Sequence, residues 1–210
     1  MTTRGAAPGG RSRSSWVSLL AVGLAAIFAG LQLSTWPVRL RYPGEECMVE
    51  GIFLAEMLHL RKGVPIYSSF SPDRFDSANY GPLYYLLGAK LVDPQAPSYF
   101  PLRLISILAT VACAAACGGL GFVLTRRLLA LALAPLLFLA YAIVTYYGCS
   151  LRPDSLGLFL SFIGLLAAFH LRERPAILLA APLMLLSFFY KQQFIAAPLA
   201  VLLYLFLGNR

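Results

Sequence analysis

A chain of 210 residues that is 59% hydrophobic and only 12% charged has about half the charged fraction of a soluble domain, which excludes an ordinary globular fold in water and selects the membrane class. The net charge of +8 does not select nucleic acid as a partner, because the basic residues are scattered between apolar blocks rather than gathered on a stripe. They read instead as topology signals and contacts to the lipid bilayer.

Residues 1–15 hold Arg4, Arg11 and Arg13 among Gly, Ser, Pro and Ala, and read as a cytoplasmic basic tail. Residues 16–210 read as one membrane domain. The apolar run from Trp16 to about Trp36 spans a bilayer core at about 1.5 Å per residue, with a Trp at each end as interface aromatics stand. It is long for a signal-peptide core and has no clear small-residue cleavage signal, so it reads as an uncleaved first span.

Residues 37–102 differ in composition and read as a first outer loop. Of the nine acidic residues, Glu45, Glu46, Glu50, Glu56, Asp73, Asp76 and Asp93 lie here. Glu45–Lys62 predicts a short amphipathic helix ended by Gly63 and Pro65. Gly81–Leu91 predicts a second helix, too short to cross and suited to the interface.

Further apolar runs follow at Leu102–Leu124, Leu128–Tyr147, Asp154–Leu171, Ala176–Tyr190 and Phe194–Leu207, with Pro182 and Pro198 placed to kink the last two. The predicted fold class is all-α: a polytopic transmembrane helix bundle of about six spans with interfacial helices in its first outer loop. The N-terminal tail, Arg126-Arg127, Arg172 with Arg174, and Arg210 all fall on one side, which the positive-inside rule makes cytoplasmic. The acidic loop, the turn Cys149–Asp154 and the turn at Lys191 then share the opposite face. Cys47 and Cys149 share it too, which leaves a bond between them open; Cys113 and Cys117 lie in an apolar run and read as small hydrophobes. No cysteine or histidine spacing suggests a zinc site.

Four groups of residues on that face are able to carry chemistry. Glu45, Glu46 and Glu50 follow the first span. Clustered carboxylates repel one another and suit a general base or a divalent cation, or else a solvated helix start. Arg152 and Asp154 open a span: Asp154 suits an N-cap, and Arg152 suits a lipid phosphate. Lys191-Gln192-Gln193 places a charge and two amides between apolar runs, as a site or as an interfacial turn with a snorkelling Lys. Tyr80, Tyr84 and Tyr85 suit a sugar or lipid groove, or an aromatic belt. His59 and His170 stand alone and read as packed or interfacial residues.

Taken in order, these segments resemble the N-terminal half of a known family. A first span is followed by the acidic pair Glu45-Glu46 and by Gly63-Val64-Pro65-Ile66-Tyr67. Then come an N-Y-G-P-L-Y-Y-L-L block from Asn79, an L-R-P-D-S-L-G turn from Leu151, and the Lys-Gln-Gln turn. The pattern is similar to that of the GT-C membrane glycosyltransferases, which include protein mannosyltransferases and the aminoarabinose transferases of bacterial lipid A. The resemblance implies an enzyme that moves a sugar from a polyprenyl-phosphate donor to an acceptor, of a kind the sequence does not identify, outside the bacterial plasma (inner) membrane. It implies catalytic carboxylates at Glu45 or Glu46 and at Asp154. It implies substrate binding by Arg152, Lys191, Gln192, Tyr80 and Tyr84, and a divalent cation (Mg or Mn) on Glu46 and Asp154. The rival expectation is a transporter or flippase component, or a structural subunit.

Overall fold

The computed structural model describes residues 10–67, 78–170 and 174–208, and among the described residues every regular element is helical. The first apolar run forms α1 (Gly10–Leu33), and a turn at Ser34 and Thr35 leads into the short α2 (Trp36–Arg41). Pro37 sits in the first turn of α2, where its missing N–H costs nothing. α3 (Glu50–Arg61) and α4 (Pro82–Leu91) follow. α3 starts five residues later than the sequence predicts, because residues 45–49 spend their polar groups on turns. The Glu46 N–H donates to Glu50 Oε2 at 2.9 Å, and the Gly51 N–H donates to Glu45 Oε1. Glu46 and Glu50 therefore do not share a helical face.

The bundle proper begins with α5 (Phe100–Thr125), which ends at Arg126 in the left-handed conformation, φ 57°, the position glycine usually takes at a helix C-terminus. The next run breaks into α6 (Leu128–Ala140) and α7 (Ala142–Gly148), bent by 74° about Tyr141, whose backbone is extended. α8 (Asp154–His170), α9 (Arg174–Tyr190), a 3-10 turn (Gln192–Ile195) and α10 (Ala196–Gly208) complete the described chain.

Side-chain register gives the directions. Gly118 faces Leu131 and Pro135 while Gly121 faces Ala130 and Ala134, so α5 and α6 run antiparallel. Ser161 meets Ser187 and Gly164 meets Met184, so α8 and α9 are antiparallel too. Thr110 bonds Ser155 while Gly119 faces Leu166, so α5 and α8 run parallel. The starts of α5 and α8 and the ends of α7 and α9 therefore gather at one end of the bundle. Against that end α3 and α4 pack a small core of Phe53, Met57, Tyr84, Tyr85, Leu102 and Leu151.

Among the described residues two helices are long and apolar enough to cross a membrane, Trp16–Arg41 and Phe100–Thr125; the bent pair makes a third if it is one span. Their outward faces are apolar: Leu19, Ile27 and Phe28 of α1 and Leu108 and Val111 of α5 are exposed. That composition suits lipid, not water, and marks a membrane protein. α8 and α9 have 17 residues each and α10 has 13. At about 1.5 Å per residue these fall short of a hydrocarbon core of about 30 Å. Length and composition thus give two to three candidate spans among the described residues, which does not confirm the expected number of about six. The run Leu128–Tyr147, continuous in sequence, is broken at Tyr141, and the last three predicted runs form the shorter helices α8, α9 and α10.

Candidate functional site at one end of the bundle

Arg103 enters the bundle end one turn into α5, and its side chain has no exposed surface. A lone buried guanidinium is costly, and this one is matched throughout. Its Nη2 lies 2.6 Å from Glu50 Oε2 and its Nε 3.2 Å from Glu50 Oε1. The remaining donors reach the carbonyls of Arg39 (3.1 Å), Tyr42 (2.6 Å) and Gly44 (2.7 Å). The same Glu50 carboxylate accepts the Leu151 N–H at 2.6 Å. One ion pair thereby ties the chain after α2, the start of α5 and the turn before α8. Burial alone would raise the Glu50 carboxyl, but Arg103 and the N–H groups of Glu46 and Leu151 outweigh it and hold it below its ordinary value. Glu50 is thus a structural carboxylate.

Glu46 belongs to a second, neighbouring group. Its Oε2 lies 2.6 Å from Arg39 Nε, and Arg39 also donates to the Tyr146 carbonyl at 2.9 Å and stacks on the Tyr146 ring at 4.8 Å. The Tyr146 hydroxyl returns a bond to the Glu46 carbonyl at 3.0 Å, and the Trp36 indole N–H caps the Thr145 carbonyl at 3.0 Å. These bonds hold the bent α7 against α2. Glu45 is exposed beside this group.

The third group joins segments that are distant in sequence. Asp154 is bracketed: Lys191 Nζ lies 2.6 Å from Oδ1 and Arg152 Nε 3.2 Å from Oδ2. Lys191 stands over the Tyr80 ring at 5.0 Å, and the Arg152 guanidinium lies over the Tyr147 ring at 4.3 Å. Arg152 also makes long contacts to Tyr80 Oη (3.5 Å) and Cys47 Sγ (3.6 Å). Burial would lower the Arg152 guanidinium, but Asp154 outweighs it, so the side chain stays charged. Tyr80 reaches this place because Gly81 docks on the end of α9. Its N–H donates to the Tyr190 carbonyl at 3.2 Å, and a Cβ there would overlap the Phe189 carbonyl.

Of the residues expected from sequence, Tyr80, Arg152, Asp154 and Lys191 come together. Gln192 lies in the next turn and is exposed. Tyr84 does not join them directly. It is buried, and its hydroxyl, which has no hydrogen-bond partner, borders a cavity of about 20 Å³ whose wall includes Arg152, Ser106 and Tyr190. Cys47 and Cys149 are both free thiols. Glu46 and Asp154, expected to share a metal, sit in different ion-pair groups. Among the described residues no three His, Cys, Asp or Glu gather as metal ligands. Sequence reasoning missed Arg39, Arg103 and Tyr147. The available signal for Arg103 was an unpaired charge just inside an otherwise uncharged run. Asp73 and Asp76 lie outside the described residues.

A separate apolar groove of about 460 Å³ opens between α8, α9 and α10, walled by Phe169, Met184, Phe188, Ile195, Leu199 and Leu202. Ile195 closes the same 3-10 turn that follows Lys191. No family model matches the chain, and no curated protein or solved structure matches it.

Proposed function

We propose that this chain is a membrane glycosyltransferase of the GT-C type, or the N-terminal half of one. In this reading it transfers a sugar from a polyprenyl-phosphate donor to an acceptor on the extracytoplasmic side of the plasma membrane, with its N-terminus in the cytoplasm. The observation that carries the reading is the meeting of Tyr80, Arg152, Asp154 and Lys191, drawn from three segments, at the end of an apolar helix bundle. Two cations with one carboxylate leave a positive excess where a lipid-borne phosphate would dock. The groove beside the Lys191 turn has an apolar lining that suits a lipid chain.

The chemistry is consistent with such a site. An acceptor hydroxyl attacks the sugar C1 while the bond from C1 to the phosphate oxygen breaks. The hydroxyl proton passes to a carboxylate, for which Asp154, Glu45 and Glu46 are the candidates. The departing polyprenyl phosphate gains negative charge, which Arg152 and Lys191 stabilise. Glu46 and Asp154 are each matched to cationic side chains, so the arrangement does not fit a divalent cation and no step passes through one.

The test is sugar transfer in membranes from a polyprenyl-phosphate-sugar donor, with Glu46→Ala and Asp154→Ala made separately and each combined with Glu45→Ala. A loss of about 10²–10⁴-fold in one of them is expected of a general base. Undiminished transfer in all of them removes the assignment. The bent α6–α7 pair favours a transporter as the second reading, since transporters use broken helices. Against it, Asp154 and Lys191 pair beside Tyr80 of the loop segment, not between span interiors.

A further inference from the structure

Asp154 is more exposed than either of the cations that hold it. Its side chain keeps 33% of its surface, against 17% for Arg152 and 10% for Lys191. The carboxylate is thus more accessible to an arriving ligand than either cation it holds, Lys191 through Nζ and Arg152 through Nε. Of the other contacts of Arg152, that to Tyr80 Oη is long for a hydrogen bond at 3.5 Å, and that at 3.6 Å is to Cys47 Sγ, a weak acceptor. Both cations are also steadied from behind by aromatic faces, Lys191 by Tyr80 and Arg152 by Tyr147. They would keep their places if the carboxylate swung away.

We propose that Asp154 is an internal stand-in for a phosphate monoester or diester, and that the ligand's phosphate takes its place on Lys191 and Arg152. This rests on the reading of those two residues as a phosphate clamp. A phosphodiester such as the proposed donor carries one negative charge and so equals the carboxylate it replaces, whereas a monoester, at about −1.5 to −2 charges at neutral pH, matches the two cations better. The exchange conserves the ion pairing while it frees Asp154. The carboxylate is then available to accept a proton or orient an acceptor only when the phosphate is already seated. A site of this design keeps its base masked until donor arrives.

The exchange makes an inverse prediction: removing the negative charge of Asp154 tightens phosphate binding, where removing an ordinary site residue weakens it. The purified chain in detergent is titrated with inorganic phosphate. Separately, it is titrated with phosphatidylcholine vesicles made with and without phosphatidic acid. Asp154→Asn keeps the shape and still suits the first turn of α8; it is expected to raise affinity about tenfold, equivalent to about 1.4 kcal/mol. Asp154→Glu, which restores the charge, is expected to return affinity towards the parent. Lys191→Met and Arg152→Met are expected to weaken binding by about tenfold or more. A gain with phosphatidic acid vesicles alone marks a lipid-borne phosphate; a gain with both marks the free anion as sufficient. Weaker or unchanged binding in Asp154→Asn, with loss in Lys191→Met and Arg152→Met, overturns the exchange and leaves the clamp standing. Unchanged binding in all the variants overturns the clamp and the exchange together.

Discussion

Glu50 and Arg103 meet at two points, 2.6 Å and 3.2 Å, with neither side chain exposed to solvent. Around that pair the chain after α2, the start of α5 and the Leu151 turn are brought to one place, and the Arg152–Asp154–Lys191 group is built immediately beside it. A buried ion pair adds little net stability over an apolar replacement, but breaking one is expensive. Glu50→Gln and Arg103→Met are each expected to destabilise the fold by about 3–5 kcal/mol. The double variant should cost less than the sum. Chemical unfolding in detergent micelles, followed by Trp fluorescence, checks the non-additivity.

The same pair sets a pH dependence. The Glu50 carboxyl is held below its ordinary value by Arg103 and two backbone N–H groups, so the unfolded chain takes up a proton there at higher pH than the folded one. The stabilisation is fully present above the unfolded value and is lost as pH falls through the folded value. Stability measured from pH 7 down to pH 3 should therefore fall below about pH 4.3. Glu50→Gln should flatten that part of the profile. An equally steep acid limb in the variant would assign the dependence to other carboxylates.

Gly81→Ala tests how Tyr80 is delivered to the site. The added methyl meets the Phe189 carbonyl, which is backbone and gives little. The expected loss is about 1–3 kcal/mol, together with weaker phosphate binding as Tyr80 leaves Lys191. Gly23→Ala is the control: nothing lies within 4 Å of a Cβ there, and the same methyl in a helix interior should stabilise by about 0.5–1 kcal/mol. The contrast is read in paired thermal unfolding curves.

Between α8 and α9 the hydroxyls of Ser161 and Ser187 lie 2.7 Å apart, and Ser187 donates to the Gly157 carbonyl at 2.6 Å. Inside a membrane bundle such bonds contribute about 0.6 kcal/mol on average. Ser187→Ala is expected to cost about that much and to leave phosphate binding unaltered. A large loss of binding would mean that the α8–α9 seam, not only its end, shapes the site.

What the sequence conveyed depended on the kind of signal. The helices were legible as apolar runs; Arg152, Asp154 and Lys191 were legible as polar residues left in short turns between them, and Tyr80 as part of the long first outer loop. Their loops lie close in space once neighbouring helices run antiparallel. Arg103 was not, because a charge at the lip of an apolar run reads as a topology mark until its partner is known. The break at Tyr141 carries no Pro or Gly, and the bent segment beyond it is held by Trp36 and Arg39, which bind the Thr145 and Tyr146 carbonyls. Glu50 looked like one of three equivalent carboxylates, since spacing alone does not say where a helix begins. Only the position of Arg103 separates it from Glu45 and Glu46.

Whether these segments share a membrane face is open to direct labelling. With Cys47, Cys113, Cys117 and Cys149 replaced by Ser, the exposed positions Glu45, Gln192 and Arg127 are changed to Cys one at a time. Each variant is treated in sealed, oriented vesicles with a thiol reagent that does not cross the bilayer. The account predicts that Glu45→Cys and Gln192→Cys react from the same side and Arg127→Cys only from the other. Reaction of the first two from opposite sides would contradict it.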